Sequence, residues 1–103
     1  MKTSTQKIMA LLFLGMTVAA ANAFAYTGEQ LAGKAKVSIE QARAIVLKAH
    51  AGKITDEELE QETGGSGLRY SFDIKVGKVT QEVGVDALNG KVLENAPEGA
   101  HPD

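Results

Sequence analysis

The clearest pattern in the chain is a strict alternation of apolar and polar residues from Leu68 to Val76. A period of two places the five apolar side chains on one face of a β-strand. Gly77-Lys78 separates this run from a second one, Val79 to Val85, in which valines again recur. Two residues, one of them glycine, between two such runs predict a β-hairpin. The stretch Leu68 to Leu93 is therefore expected to form the inner part of a sheet.

A helix is predicted before this hairpin, over Val37 to Gly52. Ser38 followed three residues later by Gln41 is typical of a capping box, in which two side chains satisfy free backbone N–H groups. Gly52 is expected to end the helix in the left-handed conformation. Apolar residues recur at intervals of three and four and form one stripe, which should pack on the apolar face of the Leu68 to Val76 strand. The stripe comprises Ile39, Ala42, Ile45, Val46 and Ala49.

The segment Lys53 to Glu62 admits two interpretations. Thr55 and Glu58 have the spacing of a capping box that opens a short acidic helix, and glutamate is depleted in strands. The alternative is an edge strand with Ile54 and Leu59 inward, whose odd spacing requires a bulge or else leaves one of them pointing outward. Local propensity favours the helix, whereas topology favours the strand, because a lone hairpin is only marginally stable and a third strand completes a sheet.

The remaining segments are predicted to connect these elements. Gly64 to Gly67 is expected to be a flexible connector, and Asp86 to Gly90 a turn. Lys91 to Glu94 continues or returns as a short strand. Tyr26 to Lys36 is predicted to be a flexible lead-in or to hold a short helical turn around Glu29 to Ala32, and Asn95 to Asp103 is predicted to be a disordered tail.

The N-terminus has the features of an export signal. Lys2 and Lys7 precede an apolar run from Ile8 to Ala21 that is shorter than the roughly 20 residues needed to span a bilayer. A-x-A sites predict cleavage after Ala25 or after Ala23. Residues 1–25 are therefore predicted to be a cleavable signal peptide, and the protein is expected to be periplasmic or secreted, with no stable membrane insertion after cleavage.

Composition narrows the functions that the chain can perform. It has 103 residues, enough for one domain, and no cysteine, which excludes disulfides, thiolate nucleophiles and cysteine metal sites. Without the signal, nine basic residues face 13 acidic ones. This acidic balance argues against nucleic acids and anionic membranes as partners. A core this small also favours modest stability or self-association.

Candidate catalytic and metal-binding residues are few. The only histidines, His50 and His101, are far apart, and a zinc site would need both of them together with a carboxylate. Acid–base catalysis usually requires carboxylates in a buried cleft, whereas the acidic run is predicted to be a solvated edge. This run contains Glu57, Glu58, Glu60 and Glu62.

Three other motifs are better explained by structure than by chemistry. Gly64-Gly65-Ser66-Gly67 lacks the last glycine of a nucleophile elbow, because Leu68 stands there. Asp86 to Gly90 lacks the alternating oxygen ligands of a calcium loop. Tyr70 and Phe72 have the spacing of one strand face and are predicted to be core residues. No catalytic, cofactor-binding or metal-binding residue is therefore predicted, and the protein is not expected to be an enzyme.

The order of these elements resembles the PepSY domain, a module shared by propeptides of some secreted metallopeptidases and by a spore-germination protein. The matching residues begin with Val37 to Ala42 and Lys48 to Ile54. They continue with Leu68-x-Tyr70-x-Phe72-x-Ile74 and with Val83-x-Val85-Asp86-Ala87-x-x-Gly90-Lys91-Val92. The resemblance covers roughly residues 37–94.

The resemblance implies an α+β fold, with one N-terminal helix packed on a three- to four-stranded antiparallel sheet in a cystatin-like arrangement. It also favours the strand for Lys53 to Glu62. The function it implies is binding or inhibition of an extracytoplasmic peptidase, without catalytic residues or cofactors. No peptidase domain follows in this sequence, so inhibition would act on a separate molecule. The alternatives are an accessory protein that binds an envelope sensor and a carrier of a small ligand or metal.

Overall fold

A computed structural model describes residues 25–99 of the chain. One helix packs on a four-stranded antiparallel sheet whose strands lie side by side in chain order, which confirms the predicted α+β fold. Apart from Ala25, the predicted signal peptide lies outside the described residues. The elements are a 3-10 helix Glu29–Lys34, α1 Ile39–Ala49, β1 Lys53–Gln61, β2 Leu68–Val76, β3 Val79–Asp86 and β4 Val92–Pro97.

The predicted hairpin is confirmed as β2 and β3, the two central strands. Gly77 and Lys78 form the turn between them. Cross-strand pairing places Tyr70 opposite Val85 and Phe72 opposite Val83, and all four side chains are buried. This face of the sheet receives α1. The core that results contains Ala42, Val46, Leu59, Leu68, Tyr70, Phe72, Ile74, Val83, Val85 and Ala87.

The capping box at the start of α1 is also confirmed. The Gln41 backbone N–H donates to Ser38 Oγ at 3.0 Å, and the Ser38 N–H donates to Gln41 Oε1 at 2.9 Å. The predicted C-terminal cap at Gly52 is wrong, because α1 ends at Ala49 and the capping residue His50 is extended. Gly52 is required for a different reason. A Cβ there would lie 2.6 Å from Ile74 Cγ2, so the backbone passes too close to β2 for a side chain.

The segment Lys53–Gln61 is a strand, β1, as the resemblance implies. A bulge between Ile54 and Asp56 shifts the register, which lets Ile54 and Leu59 face the same side despite their odd spacing. Leu59 is buried and Ile54 packs at the border of the core. Packing and strand pairing therefore override the local helix preference.

The C-terminal strand extends further than predicted. Asn95–Pro97 belong to β4, and the Glu98 N–H still donates to the Thr80 carbonyl at 2.8 Å. The prediction of a disordered tail beginning at Asn95 is therefore wrong for these residues. Pairing with β3 orders a segment whose own sequence favours no structure.

The lead-in segment lies beside β1. Tyr26 and Leu31 pack against the core, and the Tyr26 ring lies 6.4 Å from the Tyr70 ring. Thr27 forms a parallel bridge with Glu58. The lead-in thus continues the sheet beyond β1 at a single position. Within residues 25–99, none of the helices has the length and apolar character needed to cross a membrane.

Candidate functional site

Within residues 25–99, a helix covers only one face of the sheet. A groove of about 570 Å³ lies on the helix-free face, over β2 and β3. Most of its lining side chains are carboxylates, so we call it the acidic face. Its carboxylates are those of Asp56, Glu58, Glu60, Glu62, Asp73, Glu82 and Glu94, with Glu98 beside them.

The glutamates of the predicted acidic run do not share one surface. Glu58 and Glu60 line the acidic face, and Glu60 accepts a 2.7 Å hydrogen bond from the Ser71 hydroxyl. Glu57 points to the other side of the sheet, where it meets Arg43 of α1. Strand alternation separates them because consecutive side chains point to opposite faces. Glu57 therefore anchors the helix, and only its neighbours are available at the groove.

Arg69 is the cationic residue among those that line the acidic face. Its Nη1 lies 3.4 Å from Glu62 and 3.6 Å from Glu94, and its Nη2 donates to the Thr63 carbonyl at 3.3 Å. The side chain is only 12% exposed, and its Nε is buried without a hydrogen-bond partner in the described part of the chain. Arg69 thus offsets part of the negative charge at one end of the groove.

The other end of the acidic face concentrates negative charge. Carboxylate oxygens of Asp73, Glu82 and Glu98 all lie within 4.8 Å of one another. Burial raises the pKa of Asp73, and the negative charges of Glu98 and Asp56 raise it further. Midway along the face, where Glu58 lies opposite Ser71, the pKa of Glu58 is also raised, by burial first and then by Glu60, Asp56 and Glu62. Repulsion between carboxylates is therefore a property of this end of the groove.

The sequence pattern did not predict that the carboxylates of Asp73, Glu82 and Glu98 come together. Asp73 and Glu82 face each other across the hairpin, and Glu98 reaches them because β4 extends beyond Glu94. The alternation of β2 already placed Asp73 on the polar face. The cross-strand pairing of Asp73 with Glu82 follows from the two-residue turn, and could have been found by counting outward from Gly77-Lys78.

The two edges of the sheet differ in accessibility. At β1, whose acidic run was predicted to be a solvated edge, the Leu59 N–H already donates to the Thr27 carbonyl at 2.8 Å. The next residue, Gly28, lies so close to β1 that a Cβ on it would overlap the Leu59 carbonyl. The lead-in therefore occupies the middle of this edge.

Within residues 25–99, β4 pairs only with β3 and leaves its outer edge open. Because Glu98 donates to β3, alternation along the strand directs the main-chain groups of Pro97 and Asn95 outward. Pro97 has no N–H to offer, whereas Asn95 retains one. The open edge thus provides a short row of main-chain groups that ends at a proline.

The remaining candidate motifs have structural roles. Asp86 is fully buried and accepts hydrogen bonds from the Ser66 N–H and hydroxyl, both at 2.7 Å, and from the Leu88 N–H at 2.8 Å. These contacts join the glycine-rich connector to the turn after β3. His50 is the C-terminal capping residue of α1, and its buried Nδ1 has no hydrogen-bond partner among the described residues. His101 lies outside the described residues.

Together these features define a small α+β domain in which one sheet face and one sheet edge are left uncovered by the described residues. The sequence model of the peptidase propeptide and YPEB domain, PepSY, matches residues 36–95, more than half of the chain. The chain therefore belongs to the PepSY family, as the resemblance indicated. No curated protein and no solved structure shows a significant similarity to it.

Proposed function

We propose that the chain is an exported, non-enzymatic module that binds an extracytoplasmic peptidase and inhibits it. The family match supports a partner of this kind, because the family is described by its occurrence in peptidase propeptides. Residues 1–25 act as the signal peptide, with cleavage after Ala25 or Ala23. N-terminal sequencing of the protein recovered from the cell envelope and from the medium tests this part. An intact Met1 in both fractions would contradict it.

The observation that carries the proposal is the open outer edge of β4. An extended segment of a peptidase can add to a free sheet edge as a further strand, with main-chain hydrogen bonds supplying affinity. The β1 edge is less suitable because Thr27 already pairs with it. The partner segment is therefore expected to bind at β4, on the side of the sheet opposite to the acidic strand β1.

A panel of secreted and periplasmic peptidases, including metallopeptidases, tests the function. We expect the purified protein to slow at least one of them at stoichiometric concentration. Absence of inhibition across the panel, with the protein shown to be folded by circular dichroism, would contradict the inhibitor function. Pull-down from envelope extracts then distinguishes the rival role, since recovery of sensor proteins without peptidases would favour a signalling accessory.

Two variants of the same residue test the route. Asn95→Pro removes the outward N–H, whereas Asn95→Ala removes the side chain and its 2.7 Å hydrogen bond from Gln81 but keeps that N–H. We expect the proline variant to lose inhibition and the alanine variant to retain it. Equal inhibition by both folded variants would exclude β4 as the edge that binds.

A further inference from the structure

We propose that the acidic face is a docking surface for a lysine- and arginine-rich segment of the partner protein. This inference rests on the proposed protein-binding function and specifies the chemistry of the partner. The face adjoins the open β4 edge, because Glu94 of β4 lines the groove. A partner segment that adds to β4 would therefore bring alternate side chains next to this face.

The shape of the face suits a docked segment. The groove measures about 570 Å³ and is lined by residues of all four strands. Its floor lies over Phe72 and Val83, whose side chains point away from it into the core. Since α1 packs on the opposite face, no helix of the described chain covers the groove. A segment could lie in it without displacing any described element.

The charge of the groove determines which partner fits. Among the described residues, seven carboxylates and one guanidinium line it, whereas the whole chain has a net charge of only −2. Negative charge is thus concentrated on this face, while Arg43 and Lys48 lie on the helix side. Such a field attracts a cationic segment and repels an acidic one.

Arg69 shows how the face accommodates a cation. Its guanidinium lies between Glu62 and Glu94, within 3.6 Å of each. At the opposite end, Asp73 has a raised pKa because of burial and neighbouring negative charge, and Glu58, midway along the face, has a raised pKa for the same reasons. A lysine or arginine of the partner that reached this end would relieve the repulsion there, as Arg69 reduces it at the first end.

Fluorescence anisotropy with two labelled octapeptides tests the inference, one of alternating lysine and serine and one of alternating glutamate and serine. The double variant Glu58→Gln/Asp73→Asn removes two charges from the face and should fold, because it removes repulsion. Glu29→Gln/Glu40→Gln removes the same charge from exposed positions elsewhere and is the matched control.

We expect the unmodified chain to bind the lysine peptide and not the glutamate peptide. The face variant should bind about tenfold more weakly, and the control variant should stay within about twofold of the unmodified chain. Equal weakening in both variants, or no binding of the lysine peptide at low salt, would overturn the inference. Peptidase inhibition that survives in the face variant would overturn it too, while leaving the proposed function intact.

Discussion

Arg43 of α1 and Glu57 of β1 form a two-point ion pair across the helix–sheet interface. Arg43 Nη2 donates to Glu57 Oε1 at 2.8 Å, and Nε donates to the second carboxylate oxygen. The side chains are 30% and 17% exposed, so solvent screens the pair only in part. This pair links α1 to the edge strand β1.

A double-mutant cycle with Arg43→Met and Glu57→Gln measures this contribution to the free energy of unfolding. We expect a coupling energy of about 1 kcal/mol, above that of a typical exposed pair, because the geometry is bidentate and partly buried. Arg43→Lys keeps the positive charge but cannot form the two-point contact, so its coupling energy with Glu57 should be less than half that of Arg43. A coupling close to zero in urea denaturation would show that the pair does not anchor the helix.

Tyr70 joins β2 to the start of α1, since its hydroxyl donates to the Val37 carbonyl at 2.7 Å. Burial of the ring is the main reason why the pKa of Tyr70 is raised from 10.0 to about 12. A raised pKa in the folded state means that stability is full below about pH 10 and is lost as the pH rises toward 12.

In the variant Tyr26→Phe, Tyr70 is the single tyrosine, so the ionisation of Tyr70 can be followed alone. We expect the tyrosinate absorbance of this variant to appear above pH 10, together with unfolding, because burial, the largest cause of the raised pKa of Tyr70, remains when the smaller contribution of Tyr26 is removed. Adding Tyr70→Phe should destabilise the protein at neutral pH by about 1–3 kcal/mol, because the Val37 carbonyl loses its donor. The same substitution should also reduce the loss of stability at alkaline pH. Titration of Tyr70 close to pH 10 in the folded protein would contradict the prediction.

Local signals in the sequence predicted most of the fold because several of them agree at the same places. The alternation of Leu68 to Val76 and the two-residue turn after it specify the hairpin and its buried face together. The Ser38–Gln41 capping box fixes the start of α1, and its two hydrogen bonds are present. Agreement between period, turn and cap is what makes such a prediction succeed.

The failures occur where pairing or close approach determines structure. Asn95–Pro97 contain no strand pattern, yet β3 orders them by cross-strand hydrogen bonding. Gly52 looks like a helix cap, but its real constraint is contact with Ile74, which is distant in sequence. The charged end of the acidic face depends on Glu98 reaching Asp73, and this required the extension of β4. Long-range contacts of this kind leave no local trace in a single sequence.

Asp86 is expected to stabilise the folded state through the turn that it organises. Burial would raise the pKa of its carboxyl, but hydrogen bonds from Leu88, Ser66 and Asn89 outweigh burial and lower it. Asp86→Asn replaces one acceptor oxygen by an amide that opposes these donors, so we expect a loss of about 1–3 kcal/mol at neutral pH. Because the pKa is lowered on folding, this contribution is present above about pH 4 and disappears as the pH falls.

Asp73→Asn is the control for Asp86→Asn, because the pKa of Asp73 is shifted in the opposite direction to that of Asp86. Since burial and the charges of Glu98 and Asp56 raise the pKa of Asp73, its ionisation at neutral pH opposes folding. Asp73→Asn should therefore leave stability unchanged or increase it at pH 7, while Asp86→Asn decreases it. The two variants make the same chemical change, and urea denaturation at pH 7 and pH 3 compares them. Equal destabilisation by both would contradict the assignment.

Gly28 allows the lead-in to pair with β1, and its replacement should release that pairing. The residue has φ +86°, and a Cβ on it would lie only 1.8 Å from the Leu59 carbonyl oxygen. Gly28→Ala should therefore free the Leu59 N–H from Thr27 and accelerate its hydrogen exchange at least tenfold, while the core strands stay protected. Gly33→Ala in the adjacent 3-10 helix is the matched control, because no atom lies within 4 Å of its added Cβ. If the Leu59 amide remained equally protected in both variants, Gly28 would not be what holds the lead-in against the β1 edge.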